Sequence, residues 1–164
     1  MKVADNALLK RYIGKPAILD SNLLLLQWCA GFDPDLVVTF KRLNTFQIED
    51  IELLAETLNL FSAINTTPHV LTEVSNLANS LPVWIKEDWS KYFSGKIQVI
   101  SEKWTSAATI ATSEFMRLGL TDAALAALAD THVILTLDFP LSNLLESRGL
   151  NVINFTHLRS LWLE

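Results

Sequence analysis

The chain has 164 residues, of which 50% are hydrophobic, with a formal net charge of −5 and a single cysteine. A chain of this length can bury a substantial core as one domain without disulfide or metal staples, and its acidity argues against a strong non-specific grip on polyanions. The longest apolar stretch, 23–32, is interrupted by Gln27 and Gly31 and is too short to span a membrane.

The first half of the chain predicts two strands among four helices. A short helix over 7–12 precedes a strand over 17–20 and a helix over about 22–30. Asn44 and Gln47 resemble a capping pair for a helix whose apolar residues recur at helical spacing over 51–61. Pro68 precedes a second strand over 69–72, and Glu73 begins a helix that runs to about residue 79.

The second half predicts three strands, again separated by helices. The predicted helices cover 82–95, 105–118, 122–129, 140–148 and 157–163, and the predicted strands cover 97–100, 133–138 and 152–155. Gly119 is predicted to end the helix over 105–118, and Thr121 is predicted to cap the helix over 122–129. The alternation predicts an α/β fold: a three-layer α/β/α sandwich with a mostly parallel, roughly five-stranded sheet, in a single domain over 1–164.

Four acidic residues lie where predicted strands end or where a helix begins. Asp20, Glu73 and Asp138 each follow a predicted strand, and Asp122 opens the helix that leads into the strand over 133–138. The carboxyl ends of parallel strands share one edge of the sheet, so these carboxylates are expected to meet. Like charges repel one another unless a cation lies among them, which predicts bound Mg²⁺ or Mn²⁺. The four acids account for −4 of the net charge of −5.

Each acid taken singly also has a structural explanation, because carboxylates are favoured at helix N-caps and in first helical turns. The surroundings favour a metal site for the set. The first strand is followed by Ser21-Asn22-Leu23 and not by a glycine-rich phosphate loop, and no Walker lysine is present. Neutral oxygen groups flank the acids, as suits a hard cation that keeps several waters; they belong to Ser21, Asn22, Thr121 and Thr136.

Four segments of the chain resemble the four motifs of the PIN-domain ribonucleases in order and approximate spacing. They are Asp20-Ser21-Asn22, 72–77 (TEVSNL), 120–125 (LTDAAL) and 134–139 (ILTLDF), and the likeness covers about 17–156. The resemblance implies a PIN-like sandwich and a divalent-metal-dependent endoribonuclease, toxin-like in type. It implies Asp20, Glu73 and Asp122 as the principal metal-binding and catalytic acids and Asp138 as the fourth. Asn22 and Thr136 then orient the ligands or metal-bound water.

The resemblance also carries expectations about reaction and partners. It implies hydrolysis of RNA by in-line attack of metal-bound water, leaving a 5′-phosphate and a 3′-hydroxyl. Many members of the family are toxins, which implies a small antitoxin or other protein partner. The chain differs from the short toxin form in its longer segment before the first strand, in a long second helix region and in Phe139-Pro140-Leu141 after Asp138, where many relatives carry charge.

Other functions remain open from the residues alone. A catalytically silent domain with the same fold would bind RNA or a protein partner, and a phosphoacceptor signalling domain also places acids at this edge of a sheet. The latter lacks a lysine after the last strand, where Thr156-His157 stands. A metal-dependent phosphatase or a DNA nuclease fits the same acid chemistry.

Several further residues favour structural roles. Cys29 lies in an apolar helical context and is expected to be buried, and the three histidines lack metal-ligand spacing. The segment 84–93 interleaves aromatic and basic residues, but its aromatic face predicts core packing, with Lys86, Lys91, Lys96 or the pair Lys41-Arg42 left to touch phosphates. The leucine-rich segments 23–26 and 158–163 fit ordinary core or a homodimer or partner interface. No leader segment is recognisable, so a reducing cytoplasm is expected.

Overall fold

The computed structural model describes residues 6–162, except for the side chain of Ser113. This part of the chain forms one five-stranded sheet in which every pairing is parallel. Its strands are β1 (Pro16–Leu19), β2 (Ala63–Thr66), β3 (Ser101–Glu102), β4 (Val133–Thr136) and β5 (Val152–Asn154). The predicted class is confirmed: the protein is α/β, with the helix and sheet content of a three-layer α/β/α sandwich.

Helices connect and cover the strands. They are α1 (Ala7–Lys10), α2 (Ser21–Phe32), α3 (Leu36–Thr39), α4 (Ile48–Leu58), α5 (Pro68–Ala78), α6 (Val83–Val99), α7 (Ala107–Ile110), α8 (Ser113–Leu118), α9 (Leu120–Leu128), α10 (Phe139–Ser147) and α11 (Phe155–Trp162). A single 3-10 turn at Lys41–Leu43 lies between α3 and α4. The predicted end of the last helix, Leu163, lies outside the described residues.

The strand order β3-β2-β1-β4-β5 creates a crevice at the centre of the sheet. From β1 the chain proceeds outward to β2 and β3 on one side and later to β4 and β5 on the other. The direction therefore reverses between β1 and β4, and ligands of open α/β sheets bind outside the carboxyl ends of the strands at such a point. Ala17 pairs with Val133 across this junction, and both residues are fully buried, as expected in a parallel sheet covered on both faces.

The second predicted strand is wrong, because 69–72 belongs to α5. Thr67 is the N-cap of this helix, its hydroxyl accepts the N–H of Val70, and Pro68 occupies the first turn, where its missing N–H costs nothing. The true second strand is β2, which lies directly before Thr67. Glu73 therefore lies inside a helix and neither follows a strand nor begins a helix.

The third predicted strand, over 97–100, is also wrong, since α6 continues through Gly95 to Val99. Aromatic packing against the carboxyl-terminal half of α2 holds this helix. The ring centroids of Phe32 and Trp89 are 5.6 Å apart, and those of Trp28 and Phe93 are 5.2 Å apart. Both pairs pack edge to face. The edge strand β3 comprises only two exposed residues.

The helix boundaries between 105 and 129 differ from the prediction in two places. The predicted helix over 105–118 is interrupted at Ala111-Thr112 and forms α7 and α8. Gly119, with φ of +88°, ends α8 and is also the N-cap of α9, so Thr121 lies within the first turn and does not cap it. The capping pair of α4 is shifted by one turn, because the N–H of Gln47 donates to the carboxylate of Asp50.

The buried residues of the sheet, α2, α4, α5 and α10 form one continuous hydrophobic cluster. Cys29 is fully buried within it, as predicted. Among residues 6–162, no helix combines the length and the apolar character that a membrane crossing requires.

Candidate functional site

Asp20 lies where β1 ends and is the N-cap of α2, so the capping and the site interpretations apply to the same carboxylate. Its Oδ1 accepts the N–H of Leu23 at 2.8 Å, and its Oδ2 accepts the N–H of Leu137 at 2.8 Å. The second bond crosses the β1–β4 junction and fixes the side chain at the crevice. Burial raises the pKa of Asp20, against the lowering effect of hydrogen bonds from Leu23, Thr136 and Leu137.

Asp138 occupies the equivalent position beyond β4 as the N-cap of α10. Its Oδ1 accepts the N–H of Leu141 at 2.7 Å. The Asp138 N–H donates to the hydroxyl oxygen of Thr136 at 2.9 Å, and the same hydroxyl hydrogen-bonds to Asp20. Thr136, which is fully buried, therefore links the two carboxylate segments, and its supporting role in a metal site stays a prediction.

Glu73 reaches the same edge of the sheet by a route that the sequence did not predict. It lies in the second turn of α5, and its Oε2 accepts a hydrogen bond from the hydroxyl of Ser21 at 2.8 Å. Ser21 is the first residue of α2 and is 4% exposed. Packing of α5 against α2 thus places Glu73 next to the residue that follows Asp20. Ser21 is a positioning residue that sequence reasoning missed in this role.

Asp122 provides the clearest sign that the four acids converge. It lies in the first turn of α9, and its pKa is raised to about 7. Desolvation is the largest cause, followed by the charges of Asp138, Asp20 and Glu73 in that order. The carboxylate of Asp122 is therefore close enough to the other three for their charges to raise its pKa. These acids come from segments up to 118 positions apart along the chain, from Asp20 to Asp138.

The oxygen donors of this cluster suit Mg²⁺ or Mn²⁺ in their chemistry. In the described part of the chain, however, no group of three or more His, Cys, Asp or Glu side chains is arranged to hold a metal ion. Both oxygens of Asp20 already accept backbone hydrogen bonds. Since Mg²⁺ commonly keeps several waters and takes only one or two protein carboxylates, the donor set fits a water-rich site and not a closed cage.

Asn22, the other predicted supporting residue, is the second residue of α2 and is exposed. Its side chain makes no hydrogen bond to any of the described residues. The amide is therefore free beside Asp20 and Ser21, at the amino-terminal end of α2.

A cavity of about 480 Å³ lies next to the acids, between α5 and the α8–α9 junction. One wall is formed by His69, Thr72, Glu73 and Asn76, which share one stripe of α5 at helical spacing. The opposite wall is residues 118–122, ending at Asp122. Two of the four carboxylates therefore face this cavity from opposite sides.

The aromatic and basic stretch over 84–93 divides between core and surface. Trp89 is buried, and Ile85, Tyr92 and Phe93 pack against the core, as predicted. Trp84 is 83% exposed and lies in a surface groove with Lys41 and Arg42, at the end of α2 that is far from Asp20.

Two of the three lysines of α6 have partners of their own. Lys91 pairs with Glu87 at 2.7 Å and with Asp88 at 3.9 Å, and Lys96 lies over the ring of Tyr92. Phosphate contacts by these lysines therefore stay a prediction.

The histidines do not form a catalytic constellation with one another. His132 is buried, and its Nε2 lies 3.0 Å from the side-chain nitrogen of Asn65. His157 packs edge-on against Phe139. His69 differs, because it faces the cavity and its Nδ1 is buried without a hydrogen-bond partner among the described residues.

Comparison of the chain with protein-family models, with curated proteins and with solved structures finds no match in any of the three. The geometry of the four carboxylates and of the cavity beside them therefore carries the functional proposal.

Proposed function

We propose that this protein is a divalent-metal-dependent endoribonuclease of the PIN-domain type, which hydrolyses RNA phosphodiester bonds by in-line attack of water. The observation that carries the proposal is the electrostatic coupling of Asp122 to Asp138, Asp20 and Glu73 at the carboxyl edge of the sheet. The open cavity beside Glu73 and Asp122 supports it, because a substrate can approach the cluster from that side.

Helix capping explains only part of the cluster. Asp20 and Asp138 satisfy backbone N–H groups of α2 and α10. Glu73 lies beyond the first turn of its helix, where the macrodipole no longer stabilises a carboxylate. Asp122 makes no hydrogen bond to the described residues and carries an unfavourable charge at neutral pH. The helix dipole of α9 offsets only part of this cost at Asp122, whereas a cation among the four acids would remove the repulsion.

The side chains of the cluster have separate proposed roles. Asp20 is held rigidly by two backbone N–H groups and by Thr136, so it provides a fixed anionic centre. Ser21 orients Glu73 towards that centre. Asp122 lines the cavity and titrates near pH 7, so it can hold or release a proton beside a bound substrate. A divalent ion supplies neutralisation of phosphoryl charge and lowers the pKa of its water.

A catalytically silent domain that binds RNA or a protein is the second candidate. Two observations favour it: the lack of a preformed three-residue metal group among the described residues, and the engagement of both Asp20 oxygens by the backbone. In that case the acids shape a docking surface and no phosphodiester is broken. An antitoxin or other small partner, a homodimer and a cytoplasmic location are compatible with either candidate and stay predictions.

A cleavage assay separates the two candidates. Single-stranded and hairpin RNAs are incubated with the protein in Mg²⁺, in Mn²⁺ or in EDTA, and the product ends are identified. We expect metal-dependent cleavage that leaves 5′-phosphate and 3′-hydroxyl ends, and a loss of about a hundredfold or more in Asp122→Asn. Asp130→Asn, an exposed acid just beyond α9, is the matched control and should cleave normally. RNA binding without cleavage would favour the silent domain, and cleavage in EDTA would contradict the metal-dependent mechanism.

A further inference from the structure

The open cavity between α5 and the α8–α9 junction has both apolar and polar groups in its lining. Its volume of about 480 Å³ falls within the range of pockets that enclose small organic ligands. Glu73 and Asp122 lie on its walls, so any ligand within it lies beside the proposed reaction centre.

The charges of the lining decide what kind of group can enter. In the part of the chain that the structure describes, neither lysine nor arginine lines the cavity, while two carboxylates do. A phosphate there would meet repulsion and no basic partner. An uncharged group is therefore the favoured occupant of the cavity, and the phosphates of a bound strand would lie outside it, where the proposed divalent cation offsets the charge of the acids.

The two walls suit a planar heterocycle. Pro68, Leu118 and Leu120 present hydrocarbon, against which the face of a base can pack. Asn76 and His69 also line the cavity. The Asn76 side chain is exposed and makes no hydrogen bond to the described residues, whereas Nδ1 of His69 is buried without a partner among them. The amide of Asn76 offers a donor and an acceptor side by side, the pattern that pairs with the edge of a nucleobase.

Helix geometry places these groups at a suitable distance from the acids. Asn76 lies three residues after Glu73 and His69 four residues before it, which is about 4.5 Å and 6 Å along α5 at 1.5 Å per residue. All three belong to one stripe of the helix. A base held by Asn76 would therefore belong to a nucleotide next to the phosphodiester at Glu73.

We infer that this cavity is a base-recognition pocket, in which Asn76 reads the edge of one unpaired nucleobase adjacent to the scissile bond. The inference rests on the proposed nuclease function and extends it to substrate choice. Recognition by a side-chain amide gives a preference among the four bases, whereas recognition of the RNA backbone alone gives none.

The pocket can be tested without catalysis by using uncharged nucleosides as probes. Adenosine, guanosine, cytidine and uridine are titrated into ¹⁵N-labelled protein in EDTA, and the shifts of the backbone amides of Thr72, Gly119 and Thr121, which line the cavity, are followed. We expect one nucleoside to bind at least about fivefold more tightly than the others, as one or two added hydrogen bonds allow. Asn76→Ala should lose most of this preference. Asn79→Ala, an exposed asparagine just after α5 and outside the cavity, should retain it.

A second experiment tests whether the pocket selects the base next to the bond that is cleaved. An RNA randomised at one position is cleaved in Mn²⁺, and the base next to the cut is identified for the wild type, Asn76→Ala and Asn79→Ala. The inference predicts a preference that matches the nucleoside titration and is lost only in Asn76→Ala. Equal binding of all four nucleosides, or an unchanged preference in Asn76→Ala, would overturn it. Selective nucleoside binding by a protein that cleaves no RNA would instead overturn the proposed nuclease function, while the inference of a base-recognition pocket would be retained.

Discussion

At the scale of single residues, Asp20 and Asp122 are both acidic and both belong to the cluster, yet they differ in what holds them. Burial raises the pKa of both carboxyls, but Asp20 accepts hydrogen bonds from two backbone N–H groups that lower its pKa. Asp122 accepts none from the described residues, and three neighbouring charges raise its pKa further. Substitution by asparagine should therefore have opposite effects on stability at the two positions.

Asp122→Asn should stabilise the metal-free protein at pH 8. The folded-state pKa of about 7 lies above the unfolded value of 3.8, so the unfavourable charge appears as the pH rises from about 4 to 7. After a discount for solvent screening, we expect a gain of about 1–2 kcal/mol, larger than the roughly 0.5 kcal/mol of helix-dipole stabilisation lost. Urea unfolding in EDTA measures it. The gain should vanish at pH 4, and an equal gain at both pH values would contradict the electrostatic explanation.

Asp20→Asn should destabilise the protein, because an amide has one acceptor oxygen where the carboxylate has two. The amide NH₂ would face the N–H of Leu137, so a buried donor loses its partner at a cost of about 1–2 kcal/mol. Urea unfolding at pH 8 in EDTA checks this. A variant as stable as the wild type would show that the Leu137 contact contributes little. For assays of cleavage, Asp122→Asn is accordingly the cleaner substitution.

At the scale of elements, a buried histidine connects β2 with the start of β4. The side-chain nitrogen of Asn65 donates to Nε2 of His132, so Nε2 is an acceptor and the proton is on Nδ1, 2.9 Å from the Thr131 hydroxyl. The pKa of His132 is lowered from 6.5, mainly by desolvation and then by the charge of Lys103. The folded state therefore favours the neutral ring.

This lowered pKa predicts a pH dependence of stability with a definite sign. The unfolded state binds a proton more readily than the folded state, so the contribution of His132 is complete above pH 6.5 and is lost as the pH falls towards the folded-state pKa. His132→Gln should consequently cost more stability at pH 8 than at pH 5, by thermal or urea unfolding. His157→Gln, at an exposed position on α11, is the control and should show no such difference. A cost independent of pH would refute the neutral-histidine assignment.

The elements also show which parts of the fold the sequence could predict. β1 (PAIL) and the first three residues of β4 (VIL) are apolar runs, which Asp20 and Thr136 follow. Both strands were confirmed, with Asp20 directly after β1 and Asp138 two residues after β4. β2 is short and half of its residues are polar, so it was not predicted. The second strand was instead predicted at 69–72, within α5, because of the apolar pair 70–71. The Thr67-Pro68 start signal of α5 was available in the sequence and outweighs that pair. β3, with two exposed residues, carries no hydrophobic pattern at all.

The site was predictable to the extent that it depends on strand ends. Asp20 and Asp138 converge because neighbouring parallel strands end together. Glu73 lies near Asp20 because α5 packs against α2, and the hydrogen bond between Glu73 and Ser21 joins residues 52 positions apart. No local spacing encodes that contact. The cavity beside Asn76 depends in turn on the placement of α8 and α9 over α5, which is set by tertiary packing alone.

At the scale of the whole molecule, part of the negative charge is concentrated at one edge of the sheet. Four of the acids behind a net charge of −5 lie within electrostatic reach of one another at one edge of the sheet. Folding thus assembles a repulsive cluster whose relief by a divalent cation would stabilise the folded state through ligand binding. Under the proposed function, stability and activity would depend on the same ion.

Titration of Mn²⁺ into the metal-free protein, followed by electron paramagnetic resonance, tests the central claim most directly. We expect the wild type and the Asp130→Asn control to bind Mn²⁺ equally, and Asp122→Asn to bind it about tenfold or more weakly, because one carboxylate of the cluster is lost. Equal Mn²⁺ binding by Asp122→Asn and the wild type, or no binding by the wild type at all, would contradict a cation site formed by these four carboxylates.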